Sequence, residues 1–93
     1  MHDDENRKKL LNRLRRVNGQ VEAVSRMIEE DAECVEIVMQ ISAATGALSK
    51  VAQLLLEAHV RQTLHDAAES SAAEREAMLA DLIKLFEKYA QTK

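Results

Sequence analysis

Cys34 is the only cysteine in the 93 residues, and His59 stands twenty-five positions beyond it. An ionised thiol is a strong nucleophile, and with an imidazole it makes a soft donor pair for a transition metal. Alone it cannot build an internal disulfide, so Cys34 is either a thiol kept for its chemistry in a reducing compartment or a small hydrophobe packed in a core. At 100° per residue, twenty-five positions fall about 20° short of seven whole turns, so Cys34 and His59 share one stripe of a helix. Thr63 falls about 20° to the other side of that stripe. On a continuous helix Cys34 and His59 are roughly 38 Å apart along the axis. They cannot form a site within one chain, but two copies of the helix packed antiparallel bring each Cys34 to the partner's His59. The run Ser42-Ala43-Ala44-Thr45-Gly46-Ala47 at the midpoint is small enough for such helices to cross closely about a two-fold axis. His65 points to roughly the opposite side of the helix and is expected to be exposed, and His2 lies on a terminal tail.

A second chemistry is carried by charge. The formal net charge is −3, yet residues 7 to 16 hold Arg7, Lys8, Lys9, Arg13, Arg15 and Arg16 with no acid among them. Lys9, Arg13, Arg16 and Gln20 follow at steps of four, three and four, which places them in one row on a helix and suits contact with phosphates. Only Phe86 and Tyr89 are aromatic, so the stacking platforms of single-strand binders are missing. On charge pattern alone, a merely solvated basic face remains an alternative.

The elements that must position these residues are helices. The chain has no proline, two glycines and 46 % hydrophobic residues, a composition that favours an all-α class and one domain over residues 1–93. Leu10, Leu14, Val17, Val21, Val24 and Ile28 recur at steps of four and three, predicting a first helix over about 5–29. Asp31 has the type of an N-cap, which predicts a tight turn near 30–32 and a second helix over about 32–64 whose third position is Cys34. That helix is apolar on more than one side, and Gly46 within it costs about 1 kcal/mol relative to alanine, a cost that close packing would offset. Ser71 and Glu74 have capping-box spacing and predict a third helix over about 71–90. Its set Met78, Leu79, Leu82, Ile83, Leu85, Phe86 and Tyr89 is too broad for one contact. Three such helices cannot bury their stripes in one short chain, so a helical dimer or tetramer is expected.

Other classes are disfavoured. No stretch approaches ~18 consecutive apolar residues, and the acidic start Met1-His2-Asp3-Asp4-Glu5 is unlike a secretory signal, so a cytoplasmic protein without a membrane role is expected. There is no carboxylate pair, nucleophile motif or phosphate loop, and the chain is not expected to be an enzyme. A structural adaptor that pairs with a partner helix is the competing non-enzymatic reading.

Three segments together carry a resemblance: Arg13-Leu14-Arg15-Arg16-Val17-Asn18-Gly19-Gln20-Val21, Asp31-Ala32-Glu33-Cys34, and Glu57-Ala58-His59-Val60-Arg61-Gln62-Thr63. They resemble the CsoR/RcnR/FrmR family of bacterial repressors along nearly the whole chain. The resemblance implies a three-helix subunit assembling as a dimer of dimers, with basic residues of helix 1 on double-stranded operator DNA until an effector releases it. The implied DNA residues are Lys9, Arg13, Arg15, Arg16 and Gln20. Copper sensors of this family carry a second cysteine where this chain has Thr63, which disfavours copper(I). Nickel and cobalt sensors use an N-terminal histidine, the cysteine, the histidine and a further histidine one turn on. His2, Cys34 and His59 match three of these, so a nickel, cobalt or zinc ion is one implied ligand, with no cofactor otherwise required. Formaldehyde sensors use the cysteine and an N-terminal amine, and the surroundings of Cys34 and His59 resemble theirs most. They typically begin with proline after the removed methionine, whereas His2 favours retention of Met1, whose amine would take that place. The expectation is therefore a formaldehyde-released repressor sensing through Cys34, Met1, His59 and Thr63, with the metal sensor as the alternative.

Overall fold

The computed structural model describes residues 4–91 as three helices, α1 (Asp4–Glu29), α2 (Cys34–Ala67) and α3 (Ala72–Gln91). The described residues contain no strand. Contacts group into two units, one from residue 1 to 56 and one from 57 to 93, with α2 contributing to both.

In the first unit the stripe foreseen on α1 packs against α2. Leu10 and Val17 are buried on α1, and Ala44 and Val51 on α2. Steps of seven hold each pair on one helix face. Of the remaining members of the apolar stripe, Leu14 and Val24 are half-buried, and Val21 and Ile28 stay open at 51 % and 61 % exposure. Beside the buried pairs lies an apolar recess of about 210 Å³ lined by Val17, Val21 and Val24 from α1 and Ile41, Ala44, Thr45 and Leu48 from α2.

The connection between α1 and α2 corrects the expected cap. Asp31 does not open α2; it closes α1 in the left-handed region, at φ 58°. The Ala32 N–H donates to the Met27 carbonyl at 2.9 Å and the Asp31 N–H to the Ile28 carbonyl at 3.2 Å. This pair of bonds is a Schellman motif, which satisfies carbonyls that the last turn of α1 leaves free. The residue that precedes α2 is Glu33, whose carbonyl accepts the Ile37 N–H at 3.1 Å. Cys34 is consequently the first helical residue and not the third. An aspartate in sequence can serve either helix, and only the geometry of the reversal assigns it to the earlier one.

Gly46 has no neighbour within its own chain. A Cβ built there meets nothing within 4 Å, and the same is true of Gly19. Within the chain, no close approach offsets either glycine.

In the second unit, Ser71 caps α3 as its spacing with Glu74 foretold. The Ser71 N–H donates to Glu74 Oε1 and the Glu74 N–H to Ser71 Oγ, each at 3.2 Å. Hydrogen bonds to the Glu74 carboxylate from the Ser71 hydroxyl first, and from the Ser71 N–H second, hold that carboxyl below its ordinary value of 4.5. On α3, Met78, Leu82, Leu85 and Tyr89 are half-buried, while Leu79, Ile83 and Phe86 form a second, exposed stripe. No residue of α3 is buried. By length and mean hydropathy of 1.2, α2 is the one helix among the described residues that could cross a bilayer, a test that core helices of helical assemblies also pass. Gln40, Ser42, Thr45, Ser49, Lys50 and Gln53 interrupt its apolar run.

Two predictions follow from these termini. Replacing Asp31 by glycine, which adopts φ > 0 without steric cost, should raise unfolding free energy by about 1 kcal/mol in urea, and Asp31→Val should lower it by at least as much. Because folding lowers the Glu74 carboxyl, its contribution is complete above the ordinary value of 4.5 and is lost as the pH falls through the lowered one. Circular dichroism on acidification should therefore show less helix loss below pH 4.5 for Glu74→Gln than for the parent, from a lower starting level.

Candidate effector and nucleic-acid site

Cys34 is exposed. At the first position of α2 its side chain lies beside N–H groups that have no partner within the helix, the positive end of the macrodipole. Glu33 just before it and Glu36 two residues on oppose that field. The bland expectation of a core cysteine is not met within the chain.

His59 is exposed on the second unit's portion of α2. Thr63 is half-buried, and its Oγ1 donates to the His59 carbonyl at 2.9 Å, so the hydroxyl is engaged by its own helix. Cys34 belongs to the first unit and His59 to the second. Among the described residues no three His, Cys, Asp or Glu side chains gather as a metal-binding group. His65 is exposed, as expected. Met1 and His2, the other two residues assigned to the site from sequence, lie outside the described residues.

The basic row is partly as foreseen. Lys9, Arg13 and Arg16 are exposed and, with Asn12, line a surface recess of about 220 Å³. Arg15 is exposed on the outer side of α1, where its Nη1 donates to Asn12 Oδ1 at 2.9 Å. Gln20 leaves the row. It is half-buried, and its Oε1 is enclosed without a hydrogen-bond partner, an arrangement that costs about 1–3 kcal/mol until a donor arrives.

Sequence reading missed Lys50. The apolar recess marks one flank of the α1/α2 pair, because Val21 on α1 and Ile41, Thr45 and Leu48 on α2 all turn to it. Lys9, Arg13 and Arg16 turn to the opposite flank of α1, and Lys50, about 100° before buried Val51, turns to that same opposite flank of α2. The short connection makes the helices antiparallel, and Arg13 and Lys50 each stand sixteen residues from the helix end at the turn, Glu29 and Cys34. Lys50 is thus level with Arg13. The signal was available only after the packed faces were known, since Lys50 is isolated in an apolar run.

The family of metal-sensitive transcriptional repressors matches residues 6–88. The chain belongs to that family. The copper-sensing transcriptional repressor CsoR of Bacillus subtilis is 37 % identical over 83 residues, which are 89 % of this chain and 80 % of CsoR. Among solved structures, the nickel-responsive transcriptional regulator InrS superposes with a TM-score of 0.81 at 34 % identity, covering 96 % of this chain and 98 % of InrS. A variant of the formaldehyde-responsive regulator FrmR from Salmonella enterica serovar Typhimurium superposes with a TM-score of 0.80 at 32 % identity, covering 96 % of this chain and 99 % of FrmR. Membership places this chain among non-enzymatic regulators and makes the three-helix subunit a family fold. The three relatives are described by three different effectors, so family membership does not choose one.

The exposure of Cys34 is directly measurable. Native protein treated with excess N-ethylmaleimide should gain one adduct per chain in intact mass, complete as fast as in urea; protection in the native state would mean that another copy covers the thiol.

Proposed function

We propose that this chain is a cytoplasmic, DNA-binding transcriptional repressor that leaves its operator when an effector engages Cys34. The observation that carries the reading is the pairing of one exposed thiol, at the helix start reached through the turn at 30–33, with a row of exposed cations on the helix that enters that turn. Lys9, Arg13, Arg16 and Lys50 on one flank, with Arg15 on the outer side of α1, are suited to phosphates. Gln20, four positions after Arg16 on the same helix row, is assigned to that surface with them. The working form is a homo-oligomer, a dimer of dimers. Leu11, Val35, Val38, Met39, Ile41 and Leu48 are exposed in the first unit, and withdrawing what each still presents to water is worth on the order of 1 kcal/mol, about half the value for burying such a side chain whole.

Formaldehyde is the proposed effector. The Cys34 thiolate adds to the aldehyde carbon, the adduct takes up a proton, and the amine of Met1 then displaces water to leave an S–CH2–N bridge. The chain has a single sulfur donor, Cys34, and Thr63 stands where a second thiolate would favour copper(I). The second reading, a nickel, cobalt or zinc repressor, is favoured by the exposed His59, which with Cys34 and His2 would make a mixed sulfur and nitrogen donor set. Twenty-five positions of one helix at 1.5 Å each separate Cys34 from His59, so we assign such a site to two copies of the chain, and His59 and Thr63 join the thiol in the formaldehyde reading on the same condition.

The experiment is a titration of duplex DNA from the region upstream of the protein's own gene. Binding is expected at low salt, with each of Lys9→Ala, Arg13→Ala and Arg16→Ala lowering the salt slope by about 0.9; absence of binding sinks the repressor reading. Added formaldehyde should release the DNA and raise the intact mass by one carbon, both lost in Cys34→Ala. Stoichiometric nickel, cobalt or zinc binding with no carbon adduct would transfer the assignment to the metal.

A further inference from the structure

The two glycines of this chain both sit inside long helices, and neither has anything within 4 Å of the Cβ it lacks. Glycine is, short of proline, the residue a helix interior tolerates least. Neither a turn nor a positive φ requires it here, since the described residues contain no glycine at positive φ. Nothing that Gly19 meets among the described residues accounts for it, which directs attention to a partner. Its surroundings say which kind of partner. Gly19 is exposed and follows Asn12 by seven residues, Arg15 by four and Arg16 by three, the spacings that share one helix face. Asn12 and Arg16 line the basic recess with Lys9 and Arg13, and Arg15 is tied to Asn12. One turn further, Glu22 reverses the sign of the surface. Gly19 is therefore a bare stretch of helix backbone at the rim of the cationic surface, adjoining side chains long enough to reach around it.

We infer that Gly19 is the position at which a nucleic-acid backbone closes on α1. The missing side chain lets the helix axis come nearer to the sugar-phosphate strand while Arg15 and Arg16 reach phosphates on either side of the contact. The inference rests on the repressor reading and adds to it a residue that carries no charge and no donor of its own. Alanine at this position gains helix propensity and places a methyl group in the contact, so stability and binding should move in opposite directions.

The test compares the parent with Gly19→Ala and Gly19→Val on duplex DNA from the gene's upstream region, with thermal melts and sedimentation on the same samples. For Gly19→Ala, a rise in Tm of roughly 4–8 °C is expected, together with DNA binding weaker by about tenfold or more. Gly19→Val should bind more weakly still, and both variants should keep the parent's oligomeric state. Parental affinity in Gly19→Ala overturns the inference while leaving the repressor reading intact, because that reading fails only if the parent itself does not bind. Loss of binding accompanied by a changed oligomeric state also overturns it, and assigns the close approach to a second copy of the chain.

Discussion

A single left-handed residue governs the geometry of the first unit. Asp31 ends α1 by turning the chain out of the helix, and the two hydrogen bonds of the Schellman motif make the reversal tight. The antiparallel packing of α1 on α2 depends on that reversal, as does the start of α2. Because α2 begins at Cys34, the sole thiol stands at a helix end with unpaired N–H groups and not in the middle of an apolar stripe. Because the helices run antiparallel, cations separated by more than thirty residues come level on one flank, Arg13 on α1 and Lys50 on α2.

The second governing fact is an excess of apolar surface. Each helix has more hydrophobic positions than are covered within the chain, and among the described residues only Leu10, Val17, Ala44 and Val51 are buried. On α3 the excess is resolved into two stripes, a half-buried one and an exposed one. A regulator built this way has its stability linked to association, since the hydrophobic term is realised only when another surface arrives.

Family membership and the site chemistry answer different questions. The family match and the shared three-helix fold make the chain a transcriptional repressor of the metal-sensitive family. In the reading proposed above, discrimination among copper, nickel and formaldehyde rests on a handful of donor groups around Cys34, with Thr63 in place of a second sulfur and an imidazole at His59. Such choices are made by donor type and not by fold.

The helices, their order and the class were legible in the sequence because they rest on local rules. Steps of three and four marked α1, and the Ser71–Glu74 capping box marked the start of α3, each an interaction among residues less than a turn or two apart. The shared helical stripe of Cys34 and His59 was legible because one continuous helix keeps residues about seven turns apart in phase. What sequence misjudged were decisions between neighbours of equal local merit. Asp31 could cap the helix after it or close the one before it, and the tertiary reversal selected the latter. Gln20 continued the charged row by spacing, yet packing turned its oxygen inward, because a flank residue of a helix is exposed or covered according to the neighbour it meets. Lys50 and Gly19 gained meaning only from the folded faces. Local periodicity determined which residues share a side of a helix; the packing of α1 on α2 decided which side faces the core, which faces water, and which cations stand together.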